Sequence, residues 1–342
     1  MTNMKKLAAL LLALSLTLAL TACGGKDSGG SGTSAPSNGS GSSGEDAPHY
    51  TIGISQYGEH GSLDNCRIGF LQGLAEAGIV EGENLTVDYQ NAGFDDSIAT
   101  QIGQSFSASG VDLMVAVATP SATACFAAAE DKDIPVIFTA ITDPVGAKLD
   151  SGNITGTSDV LPVAGQLQLI RDLQPQAKTV GIVYTTSEAN SVYSVGVYED
   201  LAADYGLTVE TVGVTAQSEV TQAVDTLISR GVDCISNLTD NTVVGVLPAI
   251  LEKTNEAGIP VYGSEVEQMK LGCVAGAGLD YIKLGIQTGQ MAAKVLRGEA
   301  TCQDLPYEII ENFDLYINPE TLDAMGLVIP ESVSSNAIDV TA

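Results

Sequence analysis

The chain has 342 residues, enough for two core-forming domains, and its 44% apolar and 16% charged content is that of a globular protein. Its 42 acidic and 14 basic residues give a formal net charge of −28. Such a negative surface repels phosphate backbones, which argues against DNA or RNA as a partner. Any anionic group of a ligand would have to be held by helix dipoles and backbone N–H groups.

The N-terminus carries a basic segment followed by an apolar one. Lys5 and Lys6 precede the apolar run 7–20, which is too short to be a comfortable membrane span. The sequence that follows, Leu-Thr-Ala-Cys23, resembles a bacterial lipoprotein signal, in which the cysteine is lipidated and becomes the first mature residue. We therefore expect a signal peptide at 1–22 and a membrane anchor on Cys23, at the extracytoplasmic face of the cell membrane. The alternative is a plain signal peptide with a coincidental cysteine.

The segment after the signal is a linker, and the rest of the chain lacks a metal-binding pattern. Residues 23–48 comprise Cys23 and a stretch rich in Gly and Ser, which is typical of a flexible tether. Five cysteines follow the linker, and their odd number without any Cys-x-x-Cys argues against a disulfide framework or a zinc site. With only His49 and His60 in the chain, we expect no metal and no cofactor.

From residue 50 onward, short apolar strands alternate with amphipathic helical patterns. This alternation is typical of βαβ units and parallel sheets. Ile-Pro-Val occurs at 134–136 and again at 259–261, each time after a predicted helix, which indicates two similar α/β lobes. The predicted strands are 51–56, 84–90, 112–117, 134–138, 179–184, 207–213, 232–237, 260–263 and 273–277. The predicted helices are 63–77, 96–108, 121–130, 162–173, 189–205, 218–229, 242–257 and 281–297.

The stretch 112–124 has the pattern of a strand that runs into a helix at a binding edge. Its apolar first half suits a strand covered on both faces, and Pro120 ends that strand. Thr119 or Ser121 is expected to cap the following helix, whose first N–H groups would then favour a carboxylate or phosphate. An ordinary βα turn is the alternative for this stretch taken alone.

Polar residues gather after every predicted strand, where ligands bind in open α/β folds. Each of them is explained equally well as a helix cap or a turn, but a whole edge of this kind favours a binding surface. Carboxylates without a basic partner predict a positive group on the ligand, and helix N-termini predict a negative group. An amino acid has both. The candidate ligand-binding residues are Gln56, Tyr57, His60, Asn91, Thr119, Pro120, Ser121, Ala122, Thr142, Asp143, Tyr184, Ser187, Asn190, Ser191, Asp240, Asn241, Asp280 and Tyr281.

Catalysis is poorly supported by the sequence. The chain has no Gly-x-Ser-x-Gly elbow, no Walker Gly-Lys-Ser/Thr and no His-Glu-x-x-His motif. His60 beside Glu59 could act as a base, but no nucleophile accompanies it, and a histidine in a polar loop more often orients other groups. We therefore predict a protein that is not an enzyme.

Residues 50–310 resemble the substrate-binding lipoproteins of ABC importers, in the family whose characterised members bind tryptophan and other aromatic amino acids. The resemblance lies in the order and spacing of several motifs over about 260 residues. Two of them depart from the family pattern near the expected pocket: Gly61-Ser62 stands where Pro-Ala is common, and Ala92-Gly93-Phe94 where Ala-Gln-Gly is common. The motifs are Ile52-Gly-Ile-Ser-Gln56, Glu59-His60, Asn91-Ala92, Ala118-Thr-Pro-Ser-Ala122, Phe138-Thr-Ala-Ile-Thr-Asp-Pro-Val145, Thr157-Ser-Asp159, Ser187-Glu-Ala-Asn-Ser191, Thr239-Asp-Asn241 and Gly278-Leu-Asp-Tyr281.

The resemblance implies a type I periplasmic-binding-protein fold, with two Rossmann-like, doubly wound α/β lobes joined by a three-strand hinge. Its expected boundaries are 49–157 plus 279–305 for lobe I, 158–278 plus 306–330 for lobe II, and 331–342 for a C-terminal tail. The ligand's carboxylate would lie against Thr119 and Ser121, and its ammonium would face Asp240 or Asp280. The ligand's side chain would lie among Tyr57, Tyr184 and Tyr281, since the chain contains no Trp.

The resemblance also implies the partners. We expect a monomer that captures a small zwitterion, an aromatic amino acid, and delivers it to an ABC permease. A sensory receptor subunit of the same fold is one alternative, and a binding protein for another small solute, such as a sugar or nucleoside, is the other.

Overall fold

We describe the protein from a computed structural model, which covers residues 48–310 and 313–342. The predicted signal peptide, Cys23 and nearly all of the linker lie outside these residues. None of the helices in the described ranges is long and apolar enough to cross a membrane.

Strands and helices alternate along the chain. The first part comprises β1 (Tyr50–Gln56), α1 (Gly61–Glu76), β2 (Leu85–Asn91), α2 (Asp96–Ser109), β3 (Leu113–Val117), α3 (Thr119–Ala129), β4 (Val136–Thr139) and β5 (Ile154–Ser158). The second comprises α4 (Val163–Leu173), β6 (Thr179–Thr185), α5 (Ala189–Leu201), β7 (Thr208–Val214), α6 (Gln217–Arg230), β8 (Cys234–Ser236), α7 (Asn241–Val244), α8 (Leu247–Ala257), β9 (Val261–Tyr262), α9 (Val266–Leu271) and β10 (Ala275–Gly278). The last comprises α10 (Tyr281–Leu296), β11 (Glu308–Ile309), β12 (Asp314–Ile317), α11 (Pro319–Ala324), α12 (Glu331–Ser334) and β13 (Ala337–Asp339).

The first sheet is wholly parallel, with strand order β2-β1-β3-β4-β5-β11. Every side chain of β3, Leu-Met-Val-Ala-Val, is buried, as expected for a central strand covered by helices on both faces. Phe70 and Phe106 are among the largest fully buried side chains of the core around this sheet.

The second sheet repeats this arrangement with the order β7-β6-β8-β9. A further set, β10-β12-β13, joins it, because the Val274 N–H donates to the Val261 carbonyl at 2.8 Å and the Gly263 N–H to the Ala275 carbonyl at 3.0 Å. We call the part of the chain around the first sheet lobe I and the part around the second lobe II. The predicted two-lobed, doubly wound α/β fold is confirmed.

The chain passes between the lobes three times, after β5, after β10 and after β11. Two details differ from the boundaries expected from the sequence. Glu308–Ile309 pairs with Thr157–Ser158 at the edge of the lobe I sheet, although 306–330 was expected in lobe II. The expected tail contains β13, which pairs with β12 in lobe II. These two strands have only two or three residues, which is too short for an alternation of apolar and polar residues to be recognised. Each forms only because it pairs with the free edge of a neighbouring strand.

The predicted helix 242–257 is two helices, α7 and α8, with Gly245 and Val246 between them. Pro248 lies in the first turn of α8, where its missing N–H removes no helical hydrogen bond. This break places Gly245 at the cleft between the lobes.

Helices α1 and α10 pack against each other through glycines on both sides. A Cβ atom at Gly69 or Gly73 of α1 would overlap the carbonyl oxygen of Ile282 or Ile286 in α10. Gly285 and Gly289 of α10 approach the backbone of α1 in the same way. The two helices are therefore in direct backbone contact, which leaves no room for any side chain at these positions.

We expect Gly73→Ala to lower the free energy of unfolding by about 3 kcal/mol or more, because the added methyl group meets backbone that cannot turn aside. The matched control is Gly196→Ala in α5, where an added Cβ meets nothing within 4 Å. That change should be neutral or stabilising by up to about 1 kcal/mol, since Ala is the better helix former. Urea unfolding followed by circular dichroism measures both, and equal effects of the two variants would contradict the packing argument.

Candidate functional site

A narrow cavity lies between the lobes, near the segments that cross from one to the other. Its walls come from both lobes, so it is complete only when the lobes are together. Its lining residues are His60, Ser62, Leu63, Ala140, Asp159, Thr239, Asn241, Val244, Glu265, Gln268 and Tyr281.

Two helix N-termini bring lobe I residues to this cavity. His60 is the N-cap residue of α1, with an extended backbone and no capping hydrogen bond from its side chain. Ser62 and Leu63 lie in the first turn of the same helix, and Tyr281 is the first residue of α10. The glycine contact between α1 and α10 therefore fixes the spacing of these side chains. The free N–H groups of the first turn of α1 add partial positive charge.

Two buried carboxyl groups face the cavity. Asp159 accepts hydrogen bonds from Tyr281 Oη at 2.6 Å and Thr142 Oγ1 at 3.0 Å, and burial raises its pKa. Glu265 caps α9 by accepting from the N–H groups of Glu267 and Gln268, and burial raises its pKa to about 7. Among the described residues, no Lys or Arg side chain is buried. The cavity is thus lined by two carboxyl groups that lack a cationic partner among the described residues, an arrangement that favours a cationic group on a ligand.

Neutral polar atoms of the same cavity are also unpaired. Both ring nitrogens of His60 and the hydroxyl oxygen of Ser62 are buried. None of these three atoms makes a hydrogen bond of normal geometry to the described residues. Burial lowers the pKa of His60 to about 4, and Asn241 on the opposite lobe opposes this shift only in part. His60 is therefore neutral near pH 7, with one nitrogen that donates and one that accepts. Buried polar atoms without partners are costly, so a bound molecule that pairs with them is stabilised.

A second acidic pair lies beneath the cavity in lobe II and is satisfied by the protein itself. Glu188 accepts four hydrogen bonds, from the backbone and side chains of Asn241 and Thr242, at 2.7–3.0 Å. Asp240 accepts from the backbone and hydroxyl of Thr185 and from the N–H of Val243. Burial, together with the charge of Asp240, raises the pKa of Glu188 to about 7. This pair fixes the N-terminus of α7, which carries Asn241 and Val244 to the cavity wall.

The structure brings three of the sequence candidates together at the cavity: His60, Asn241 and Tyr281. Thr142 supports the wall from behind through its bond to Asp159. Tyr57, Thr119, Pro120 and Ser187 line open grooves outside the cavity, between the same two lobes. Their contacts with a ligand stay predictions.

The remaining candidates make internal contacts. Ser121 and Ala122 are fully buried, and Ser121 accepts a hydrogen bond from Ser55 Oγ at 3.2 Å. Gln56 donates to the Gly58 carbonyl, and Tyr184 packs against the lobe II core. The others make turn, cap or helix-start contacts: Asn91 to the Gly93 N–H, Asp143 to the Gly146 N–H, Asn190 to Glu188 and the Thr239 carbonyl, Ser191 buried in α5, Asp240 to α7, and Asp280 to the N–H groups of Ile282 and Lys283.

The expected cap of α3 is wrong. The helix begins at Thr119, its N-cap residue is Ala118 with a φ of 79°, and no side chain caps it. Ala118 takes this left-handed conformation while its N–H donates to the Thr139 carbonyl, which continues the sheet pairing by one residue. Ser121 is then already within the helix.

Eight lining residues were absent from the sequence candidates: Ser62, Leu63, Ala140, Asp159, Thr239, Val244, Glu265 and Gln268. Asp159 and Glu265 carried the clearest available signal, since each is an acidic residue that closely follows an apolar or small-residue strand. Nothing in the local pattern separates them from Asp240 or Asp280, whose carboxylates cap helices. The apolar members carried no signal, because apolar residues at these positions also suit a core.

The lobes touch each other on two sides of the cavity. Asn65 of α1 donates to Glu267 of α9 at 3.0 Å. On the other side, the Phe94 ring lies against Gly245 of lobe II. The structure is therefore that of a closed cleft.

The chain is similar in sequence and in structure to known proteins. Residues 51–341 match the family model described as ABC transporter substrate binding protein. A protein named tyrosine-binding protein, from Clostridioides difficile strain R20291, is 38% identical over 282 residues, which is 81% of each chain. A crystal structure of an ABC domain in complex with L-Trp, from Streptococcus pneumoniae, is 35% identical, with a TM-score of 0.82 over 85% of this chain and 99% of that one.

A ligand-free, open structure of a substrate-binding protein with adhesive properties, from Clostridium difficile, gives a useful contrast. It is 36% identical over the same 85% of this chain and 99% of its own, yet its TM-score is 0.63. Since identity and coverage are nearly equal to those of the L-Trp complex, the lower score agrees with a different arrangement of the lobes. The present chain matches the L-Trp complex more closely than the open structure.

We expect the ligand-free protein to lose stability as the pH rises through about 7. The pKa values of Glu188 and Glu265 are about 7 against an ordinary 4.5, so between these values the folded chain binds more protons than the unfolded one. The free energy of unfolding therefore falls as pH rises. His60 acts in the opposite direction, and its effect fades within about one pH unit above its ordinary value of 6.5. Urea unfolding between about pH 7 and 8 therefore reports mainly on the two carboxyl groups.

Glu265→Gln keeps a capping oxygen and removes one of these titrations. Its stability should depend less steeply on pH than that of the wild type over the same interval. A wild-type stability that rises with pH there would contradict the assigned shifts.

Proposed function

The chain belongs to the ABC transporter substrate-binding protein family, and we propose that it captures an aromatic amino acid in the interlobe cavity and delivers it to an ABC permease. The cavity is lined by residues of both lobes, as expected for a ligand held in the cleft between them. The relative named for tyrosine and the neighbour with bound L-Trp support an aromatic ligand.

The observation that carries this proposal is the pair of buried carboxyl groups at the cavity, which have no cationic partner among the described residues. Asp159 and Glu265 are buried in a wall where no described Lys or Arg is buried. A ligand ammonium between them would supply the missing positive charge. These two groups take the role that the sequence suggested for Asp240 or Asp280, neither of which lines the cavity.

The carboxylate of the ligand would lie at the N-terminus of α1. There the first-turn N–H groups, the Ser62 hydroxyl and the N–H of His60 can donate to it, and the helix dipole favours the negative charge. A zwitterion is therefore matched at one end by carboxyl groups and at the other by hydrogen-bond donors. The side chain of the ligand would lie against Leu63, Ala140, Val244 and Tyr281.

Binding would hold the cleft closed. Because the ligand's partners are divided between the lobes, a ligand has its full set of contacts only in the closed form, which it therefore stabilises. The closed form of a monomer would then be the shape that the permease recognises. The proposed role is binding and release of an unaltered solute, without catalysis.

The position of the protein in the cell follows from its N-terminus. We propose that Cys23 carries the lipid that holds the mature chain on the extracytoplasmic face of the membrane, with the Gly/Ser-rich segment as tether. Mass spectrometry of the mature N-terminal peptide tests this, and an unmodified Cys23 would contradict it.

A thermal-shift screen of the purified protein against the twenty amino acids, sugars and nucleosides tests the ligand class. A specific ligand at about 100 times its Kd should add about 2.7 kcal/mol to the stability of the folded state. Since the chain has no Trp, bound L-tryptophan would be the only indole in the complex, and its fluorescence reports binding directly. Stabilisation by a sugar or nucleoside alone would overturn the proposal.

Asp159→Asn should weaken binding of the aromatic amino acid by about 100-fold or more, because it removes a buried charge that faces the ammonium. The matched control is Asp280→Asn, which changes the cap of α10 outside the cavity and keeps a good capping residue. The control should bind within about twofold of the wild type by isothermal titration calorimetry. If Asp280→Asn weakens binding and Asp159→Asn does not, the ammonium site is misassigned.

A further inference from the structure

The Phe94 ring occupies a slot between the two lobes at the edge of the cavity. One wall of the slot is Gly58 of lobe I, where a Cβ atom would overlap the ring. The other is Gly245 of lobe II, where a Cβ atom would lie 3.0 Å from Cζ and 3.3 Å from Cε2 of the ring. The ring can lie here because neither glycine has a side chain.

The same ring lies between a residue of the cavity wall and an open groove. It stacks on the His60 ring at a centroid distance of 6.4 Å and an interplanar angle of 6°, and His60 lines the cavity. On its other side Phe94 lines an open groove, together with Tyr57 and with Thr185 and Thr242 of lobe II. Tyr57 meets the ring edge to face, with centroids 6.0 Å apart.

The backbone holds Phe94 in this place. Its N–H donates to the Tyr57 carbonyl at 2.8 Å, and its own carbonyl accepts from the Tyr57 hydroxyl at 3.3 Å. Its φ of 64° is in the left-handed region, which a bulky residue adopts only where its surroundings enforce it. The ring is thus presented to lobe II by a fixed loop rather than by a free side chain.

We propose that Phe94 is the gate residue of the cleft, which seals the cavity on closure and sets the rate at which the ligand leaves. The inference rests on the proposed function, because it concerns the same cavity. The contact with Gly245 joins the lobes and is broken when they separate. The stack on His60 also fixes the plane of the imidazole, so Phe94 is a positioning residue for a group that faces the ligand.

The test is stopped-flow binding of L-tryptophan, followed by its own fluorescence. Phe94→Ala should raise the dissociation rate constant up to about tenfold, as expected for the loss of aromatic contacts, and leave the association rate constant nearly unchanged. Phe94→Leu keeps an apolar side chain but loses the stack on His60. Its dissociation rate constant should lie between those of the wild type and Phe94→Ala. The control is Tyr193→Ala on α5, an exposed aromatic residue, which should leave both rate constants unchanged.

Gly245→Ala tests the slot from the opposite lobe and does not depend on the stability of Phe94→Ala. The added methyl group should raise the dissociation rate in the wild-type background and have little further effect in Phe94→Ala, because the ring it meets is gone. The added Cβ would also meet the Gln217 side chain. The effect of Gly245→Ala is therefore measured again, with and without Phe94→Ala, in chains that also carry Gln217→Ala.

The outcomes separate the two proposals. If the wild type binds none of L-tryptophan, L-tyrosine and L-phenylalanine, the proposed ligand class is overturned. If the wild type binds, an unchanged dissociation rate in Phe94→Ala, or equal effects of Gly245→Ala in both backgrounds, overturns the gate alone.

Discussion

The backbone contact between α1 and α10 is the constraint on which the candidate site depends. Four glycines allow the two helices to approach so closely that side chains at these positions are excluded. α1 begins with His60, Ser62 and Leu63, whereas α10 begins with Tyr281 directly after a crossing from lobe II. The contact therefore fixes two helix N-termini side by side at the cavity. It also connects the hinge rigidly to the lobe I core.

The four buried carboxyl groups of the cleft have two different roles. Glu188 and Asp240 are solvated by the N-terminus of α7 and by neighbouring hydroxyls, so the fold itself supports them. Asp159 and Glu265 also have hydrogen bonds, but they line the cavity. In a chain with a net charge of −28, charge recognition thus depends on local geometry rather than on the overall field.

Closure and recognition involve the same short segments. The cavity is enclosed by the loops and first helical turns that follow strands of both lobes. The lobes touch beside it through Asn65 with Glu267 and Phe94 with Gly245. Ala118 and Ala140 follow neighbouring strands with positive φ values of 79° and 59°. Such conformations at strand ends are typical of sites where backbone is held in place for binding.

The sequence by itself determined the fold class, the family resemblance and the edge of the sheets at which the cavity lies. Strand periodicity, the repeated Ile-Pro-Val and the polar residues after each strand are local features, and local features can be read from the chain. Only the tertiary structure decided which of those polar residues face the cavity. Asp, Asn, Ser and Thr serve both as helix caps and as ligand contacts, so Asp280 at the N-terminus of α10 and Asp159 at the cavity look alike in sequence. The glycines of α1 and α10 are visible in the sequence as well, but their partners are more than 200 residues away. Their role, and that of Gly245 beside Phe94, exists only when distant backbones meet.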